Sequence, residues 1–156
     1  MTAVQLAKPS DAEAIAAFAD GSFTRTFGHI YDPADLAAFL AGWNPPGRVR
    51  EQIASDDHDI ALVRDAEGAI LGYIKMGPVD FELPAGQPTG NAVELHQLYV
   101  AEAAKGTGVA VALMDWGIAW ARERAAILYL SVFTENERAQ AFYRRYGFYD
   151  VGRNAF

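Results

Sequence analysis

Val93-Glu94-Leu95-His96-Gln97-Leu98-Tyr99-Val100, followed by Lys105-Gly106-Thr107-Gly108-Val109-Ala110-Val111, decides the reading of this chain. An extended apolar run passes through a glycine-rich turn into a long helix. A helix start offers backbone N–H groups without intrahelical partners and the positive end of the helix dipole, which suits the turn to phosphate. A Walker loop, G-x-x-x-x-G-K-[ST], fails because the lysine here precedes the glycines. A dinucleotide fingerprint, G-x-G-x-x-G/A, finds its first glycines at Gly106 and Gly108, but its last position falls on Val111. It would also open a domain, whereas this turn lies late in the chain. Taken alone, the two glycines can equally make a tight turn that binds nothing.

Working outward, Ile127 to Phe133 is a nearly continuous apolar run, as for a central strand covered on both faces. The helix after the glycines carries Val109, Leu113, Trp116 and Trp120 on one stripe. A last helix spans Glu137 to about Tyr146, ends at Gly147, and is followed by a strand starting over Phe148 to Val151. Upstream, Asp59–Arg64 and Ala69–Gly77 are strands joined by the hairpin signal Asp65-Ala66-Glu67-Gly68. Phe81 to Asn91, with two prolines and two glycines, reads as a loop. Nearer the start, Val4–Ala7 is a short strand and Ser10 caps a helix through about Phe18. Asp32-Pro33 begins a helix to about Ala41, broken by Asn44-Pro45-Pro46-Gly47, and Val49–Ala54 adds a turn or two. The order is α/β, with helices on both sides of a mixed sheet in one domain over residues 1–156.

The 156 residues, 51% of them hydrophobic, suit one globular core. No cysteine is present, which excludes disulfides, thiolate nucleophiles and sulfur-ligated metals. His29, His58 and His96 are scattered without metal-ligand spacing, so no metal is expected. No basic-then-apolar leader and no membrane-length apolar run appear, so a soluble, cytoplasmic protein is expected, with no membrane partner. The net charge of −7 argues against nucleic acid and is compatible with a cationic substrate.

Three elements in order carry a resemblance. They are the strand with Glu94, the loop Lys105-Gly106-Thr107-Gly108-Val109-Ala110, and Asn136-x-x-Ala139-x-x-Phe142-Tyr143-x-x-x-Gly147-Phe148. Together, over about Gly72 to Val151, they resemble the GCN5-related N-acetyltransferase (GNAT) superfamily, whose pyrophosphate loop is usually Q/R-x-x-G-x-G/A. Lys105 stands in place of Gln/Arg. The phrase Gly72-Tyr73-Ile74-Lys75 and the start of the Val93 strand look more narrowly like bacterial polyamine (spermidine/spermine) acetyltransferases. The resemblance implies a mixed, mostly antiparallel twisted sheet whose central strands splay apart. It also implies acetyl-CoA as cosubstrate. The pantetheine arm then pairs with the backbone of Leu98, Tyr99 and Val100, and residues 105 to 110 hold the diphosphate by their N–H groups. Leu98 and Val100 read as core as well, and Lys105 as either a phosphate partner or a solvated lysine.

The implied reaction is acyl transfer from a thioester to a primary amine by direct attack. Such an amine, with pKa near ~10, is only about one part in a thousand neutral at pH 7, a deficit of roughly 4 kcal/mol. Glu94 occupies the position of the family's general base, by direct contact or through water. Otherwise it sits solvated at the strand end, or pairs with a cationic substrate. Tyr143 matches the family's general acid, although Ala139, Phe142, Tyr143 and Tyr146 also form an ordinary core stripe. Asn136 either bonds the pantetheine or caps the last helix; a Thr134–Glu137 capping box would free it for ligand.

Phe23, Phe27, Tyr31 and Trp43 either stack against an amine substrate, Phe27 and Tyr31 foremost, or belong to the core. Asp80 and Glu82 in the long loop either attract a cationic amine or are solvated loop acids, and the second reading is preferred. A polyamine or other small amine stands ahead of a peptide N-terminus or lysine as acceptor, and a non-catalytic acyl-CoA sensor is the different-class alternative. Relatives carry about one more strand after Val151. Either the chain continues past Phe156, or a partner, such as a second copy in a homodimer, covers that edge.

Overall fold

β1 (Gln5–Leu6) leads into three helices, α1 (Ala12–Phe27), α2 (Pro33–Trp43) and α3 (Pro46–Ala54), in a computed structural model that describes residues 2–154. A hairpin of β2 (Asp59–Arg64) and β3 (Ile70–Gly77) follows, then β4 (Ala92–Val100), α4 (Val109–Arg122), β5 (Ile127–Leu130) and α5 (Glu137–Arg145). The sheet order is β1-β2-β3-β4-β5, antiparallel except for the parallel β4–β5 pair. Ile60, Leu62 and Tyr73 face α1 and α3, packing on Ile15, Ala19 and Val49. Ala61, Val63, Ile74, Met76 and Leu95 face α4, packing on Val109, Leu113 and Met114. Strict alternation thus covers both faces of the sheet, as the sequence order implied. At Gly72 a Cβ would lie 2.9 Å from Tyr99 O and 3.1 Å from Leu113 Cδ1, so only glycine lets the first turn of α4 close on the sheet here.

Several sequence expectations are corrected. α1 runs to Phe27, nine residues past Phe18. Residues 19–27 hold a glycine, a serine and two threonines of low helix propensity, but Phe23 stacks on Phe39 (4.8 Å) and Trp43 (5.0 Å), and that packing overrides propensity. Ser10 is not the cap: a 3-10 turn over Pro9–Asp11 precedes α1, fixed by Lys8 N–H donating to Asp11 Oδ2 at 2.8 Å and by the Arg64–Asp11 ion pair. α2 does begin at Pro33, with Asp32 Oδ2 accepting from Ala34 N–H at 3.2 Å. β5 is neither long nor central. It has four residues and ends the sheet, because the chain beyond Leu130 leaves β4 and no described strand lies outside it. Phe148 to Val151 forms no strand.

One irregularity matters for the site. Lys75 pairs with Gln97 but Met76 with Leu95, so His96 is an extra residue on β4, a β-bulge. Simple alternation would put Glu94, His96, Leu98 and Val100 on one face. The bulge changes phase, so Leu95, Leu98 and Val100 pack toward α4 while Glu94, Gln97 and Tyr99 share the α1 side through their partners Gly77, Lys75 and Tyr73.

Candidate active site

β4 and β5 pair only over Ala92–Leu95 and Ile127–Leu130. Past that point β4 continues to Val100 with β3 on its far side, and the edge toward β5 has no ladder partner among the described residues. This open edge can accept an extended ligand as an added strand. The splay opens into a cleft of about 1750 Å³, above the usual range for one small-molecule site and thus with room for two substrates. Leu98, Tyr99 and Val100 line it, as do Lys105, Gly106, Gly108 and Ala110. Thr107 and Val109 stand outside its lining. Val109 is a core residue, and the Thr107 hydroxyl donates back to Ala104 O.

Gly106 (φ 80°) and Gly108 (φ 92°) are both left-handed, and a Cβ on either would meet nothing within 4 Å. Their glycines serve backbone conformation and an open cradle, not packing. The first intrahelical bond of α4 runs from Ala112 N–H to Gly108 O, so the N–H groups of Val109, Ala110 and Val111 precede the ladder and remain for an anion. A diphosphate fits this cradle. Lys105 stands beside it, its ammonium 2.9 Å from Glu102. The Lys105 hydrogen bond, helped by Arg138 and Arg25, holds the Glu102 carboxyl below its ordinary range.

Glu94 is 6% exposed and lies behind the cleft rather than on its lining. Its Oε1 accepts from Asp80 N–H at 3.0 Å, and its Oε2 is 3.5 Å from His96 Nδ1, which is 3.4 Å from Asp80. His96 Nε2 is 2.8 Å from Pro78 O. A carbonyl only accepts, so Nε2 carries the hydrogen and Nδ1 of the neutral ring turns its lone pair to the two carboxylates. That arrangement needs a proton on one of them. Burial accordingly raises the Glu94 pKa to about 8 and lowers that of His96. Asp80, Glu94 and His96 hold donor atoms within 4.8 Å of one another, a spacing that would also admit a divalent ion.

The raised Glu94 value has a stability consequence. Between about 4.5 and 8 the folded protein holds a proton here that the unfolded chain has released, so stability falls as pH rises through that window. Lys75, whose pKa burial lowers to about 8, acts oppositely and only above that pH. Thermal melts from pH 5 to 8 are expected to show wild type losing stability relative to Glu94→Gln; parallel curves would refute the buried protonated carboxyl.

Tyr143 lines the cleft, packed on Phe142 and Phe148 (ring centroids 5.5 and 5.8 Å), and burial raises its pKa to about 12. It therefore keeps its proton at neutral pH. Asn136 caps α5, its Oδ1 accepting from Ala139 N–H at 3.2 Å, so the Thr134 capping box does not form. Asn136 nonetheless lines the cleft. Phe27 and Tyr31 do too, half-buried, and Phe27 meets Phe133 edge-on at 5.2 Å across it. Sequence reasoning missed Asp80 as a partner of Glu94, and it missed Arg25 and Arg138 beside the loop. Nothing local marks them, since each reaches the site through tertiary packing.

Residues 20–148 match the model of the acetyltransferase (GNAT) family. The chain is 30% identical over 148 residues to the N-acetyltransferase Rv2669 of Mycobacterium tuberculosis, covering 94% of this chain and 88% of that one. The PaiA N-acetyltransferase of Thermoplasma acidophilum, solved with coenzyme A, superposes with a TM-score of 0.82 at 16% identity, over 99% of this chain and 93% of its own. AAC(6')-Iy, solved with a bisubstrate analogue (CoA-S-monomethyl-acetylneamine), gives 0.72 at 15% identity, over 100% and 96%. These two structural likenesses speak for the fold alone. Among the described residues no helix is long and apolar enough to cross a membrane.

Proposed function

Because the chain belongs to the acetyltransferase (GNAT) family and is an N-acetyltransferase, we propose that it moves an acetyl group from acetyl-CoA to a primary amine by direct attack. The observation that carries this reading is the unpaired edge of β4 from His96 to Val100, ending beside the helix-tip N–H groups of α4. The backbone of Leu98, Tyr99 and Val100 takes the pantetheine amide groups, and residues 105–110 take the diphosphate. Asn136 offers its amide N–H groups, together with the second lone pair of an oxygen already engaged as the cap.

In the transfer, the amine nitrogen forms a bond to the acetyl carbon as the carbon–sulfur bond breaks. One proton of the ammonium passes by way of water to Glu94 behind the lining, in the ionised form of that carboxyl, which prevails above about 8. The departing sulfur receives a proton from Tyr143, whose buried hydroxyl does not ionise beforehand, and the phenolate so formed recovers one from the nitrogen, which sheds its second proton as the amide forms. Holding both reactants in one cleft supplies much of the remaining acceleration. With no cysteine in the chain, no thiol-bound acyl enzyme intervenes.

The sequence alone puts a polyamine ahead of a peptide N-terminus, but the amine-acetylation reading does not depend on that order. The aminoglycoside-type ligand of AAC(6')-Iy supports an amine acceptor in this fold without choosing among amines. Thiol release followed with DTNB across a panel of amines tests the function; coenzyme A binding without turnover on any amine would leave an acyl-CoA sensor instead. Tyr143→Phe is expected to slow turnover by roughly 10²-fold with the melting temperature kept. A wild-type rate in that variant would reduce the tyrosine to packing.

A further inference from the structure

We propose that the acceptor is a primary amine with a single positive charge on an apolar or aromatic body, and not a polycation; this rests on the amine-acetyltransferase reading above. The chain as a whole carries −7, yet its cleft is cationic. Six cationic side chains line it, Arg25, Lys105, Arg138, Arg144, Arg145 and Arg153, against two carboxylates, Glu102 and Asp150. Both carboxylates are already paired, Glu102 with Lys105 and Asp150 with Arg153. The polyphosphate of the cosubstrate answers the cations around the glycine loop. It leaves no unpaired lining carboxylate for a second ammonium.

The acceptor walls are apolar. One is built from Phe27, Tyr31 and Trp43 with Phe133 facing them, and the other from Phe81 and Leu83 of the loop before β4. Ile30, 56% exposed, extends the apolar rim. Ring faces that could hold extra cations are engaged with one another: Phe23 stacks on Phe39 at 4.8 Å and Phe39 on Trp43 at 5.7 Å. Asp80, with Glu94 behind it, is a cluster of acid that can meet one ammonium. One cationic end and an apolar remainder is the complement of that surface.

Hexylamine and hexane-1,6-diamine differ only in the second charge, which makes them the test pair, assayed for thiol release at saturating acetyl-CoA. Hexylamine is expected to give a kcat/KM at least about tenfold higher, and lengthening from butylamine to hexylamine to add up to about fourfold per methylene, the transfer value of a buried CH₂. Isothermal titration of hexylamine into the coenzyme A complex should show the same preference without turnover. Diamine or spermidine used as well as hexylamine, with turnover intact, overturns the charge argument and leaves amine acetylation standing. Coenzyme A binding with no release from any amine removes amine acetylation, and this inference with it.

Discussion

Replacing Glu94 by glutamine is expected to lower kcat/KM by roughly 10²–10⁴ while acetyl-CoA affinity is kept. The substitution is close to isosteric, and a glutamine carbonyl can still accept from Asp80 N–H, which Glu94 does at 3.0 Å. What disappears is the proton acceptor. Wild type should carry two ionisations in its pH–rate profile. One lies near 8 and belongs to the Asp80–Glu94–His96 group. The other is the amine's own, near ~10. Glu94→Gln should retain the second and lose the first. A variant whose profile overlays wild type would remove Glu94 from the reaction, whatever its effect on rate.

The second large effect is on cosubstrate binding. Gly108→Val is expected to weaken coenzyme A by about 10²-fold or more. Gly108 is left-handed at φ 92°, which a β-branched residue adopts only at a cost of about 1–3 kcal/mol. Its side chain would also project into open space beside the N–H groups that receive the diphosphate. Two lost hydrogen bonds to a charged group are worth about 3–6 kcal/mol. Isothermal titration with coenzyme A measures the loss, and Gly108→Asn, which tolerates this conformation better, should recover part of it. Unchanged affinity in the valine variant would mean the diphosphate is held elsewhere.

Much of this fold was legible because its signals are local. Asp59–Arg64 was read to the residue, since apolar run, turn and second run lie adjacent. The α2 start followed from Asp32-Pro33. The end of α1 was not legible, because Phe23 is held in helix by Phe39 and Trp43, residues on another element. β5 was misread because an apolar run tells of burial and not of position in the sheet; residues 131–133 leave the sheet and line the cleft. Within the site, the glycine loop declared itself by composition. The partners of Glu94 did not, because Asp80 reaches it from a loop and the charge of the cleft is a property of how distant arginines assemble. Net charge pointed toward a cationic substrate while the cavity itself has the opposite sign.

The extra residue at His96 makes β4 two strands in one, joined by a hinge of phase. Deleting that single residue would leave both halves facing as they do, because Lys75–Gln97 and Met76–Leu95 are already successive pairs, and simple alternation across them keeps Glu94 on the α1 side and Leu98 and Val100 beneath α4. A deletion scan should therefore find residue 96 tolerated by the sheet, with the loss falling on the contacts of His96 with Asp80 and Glu94.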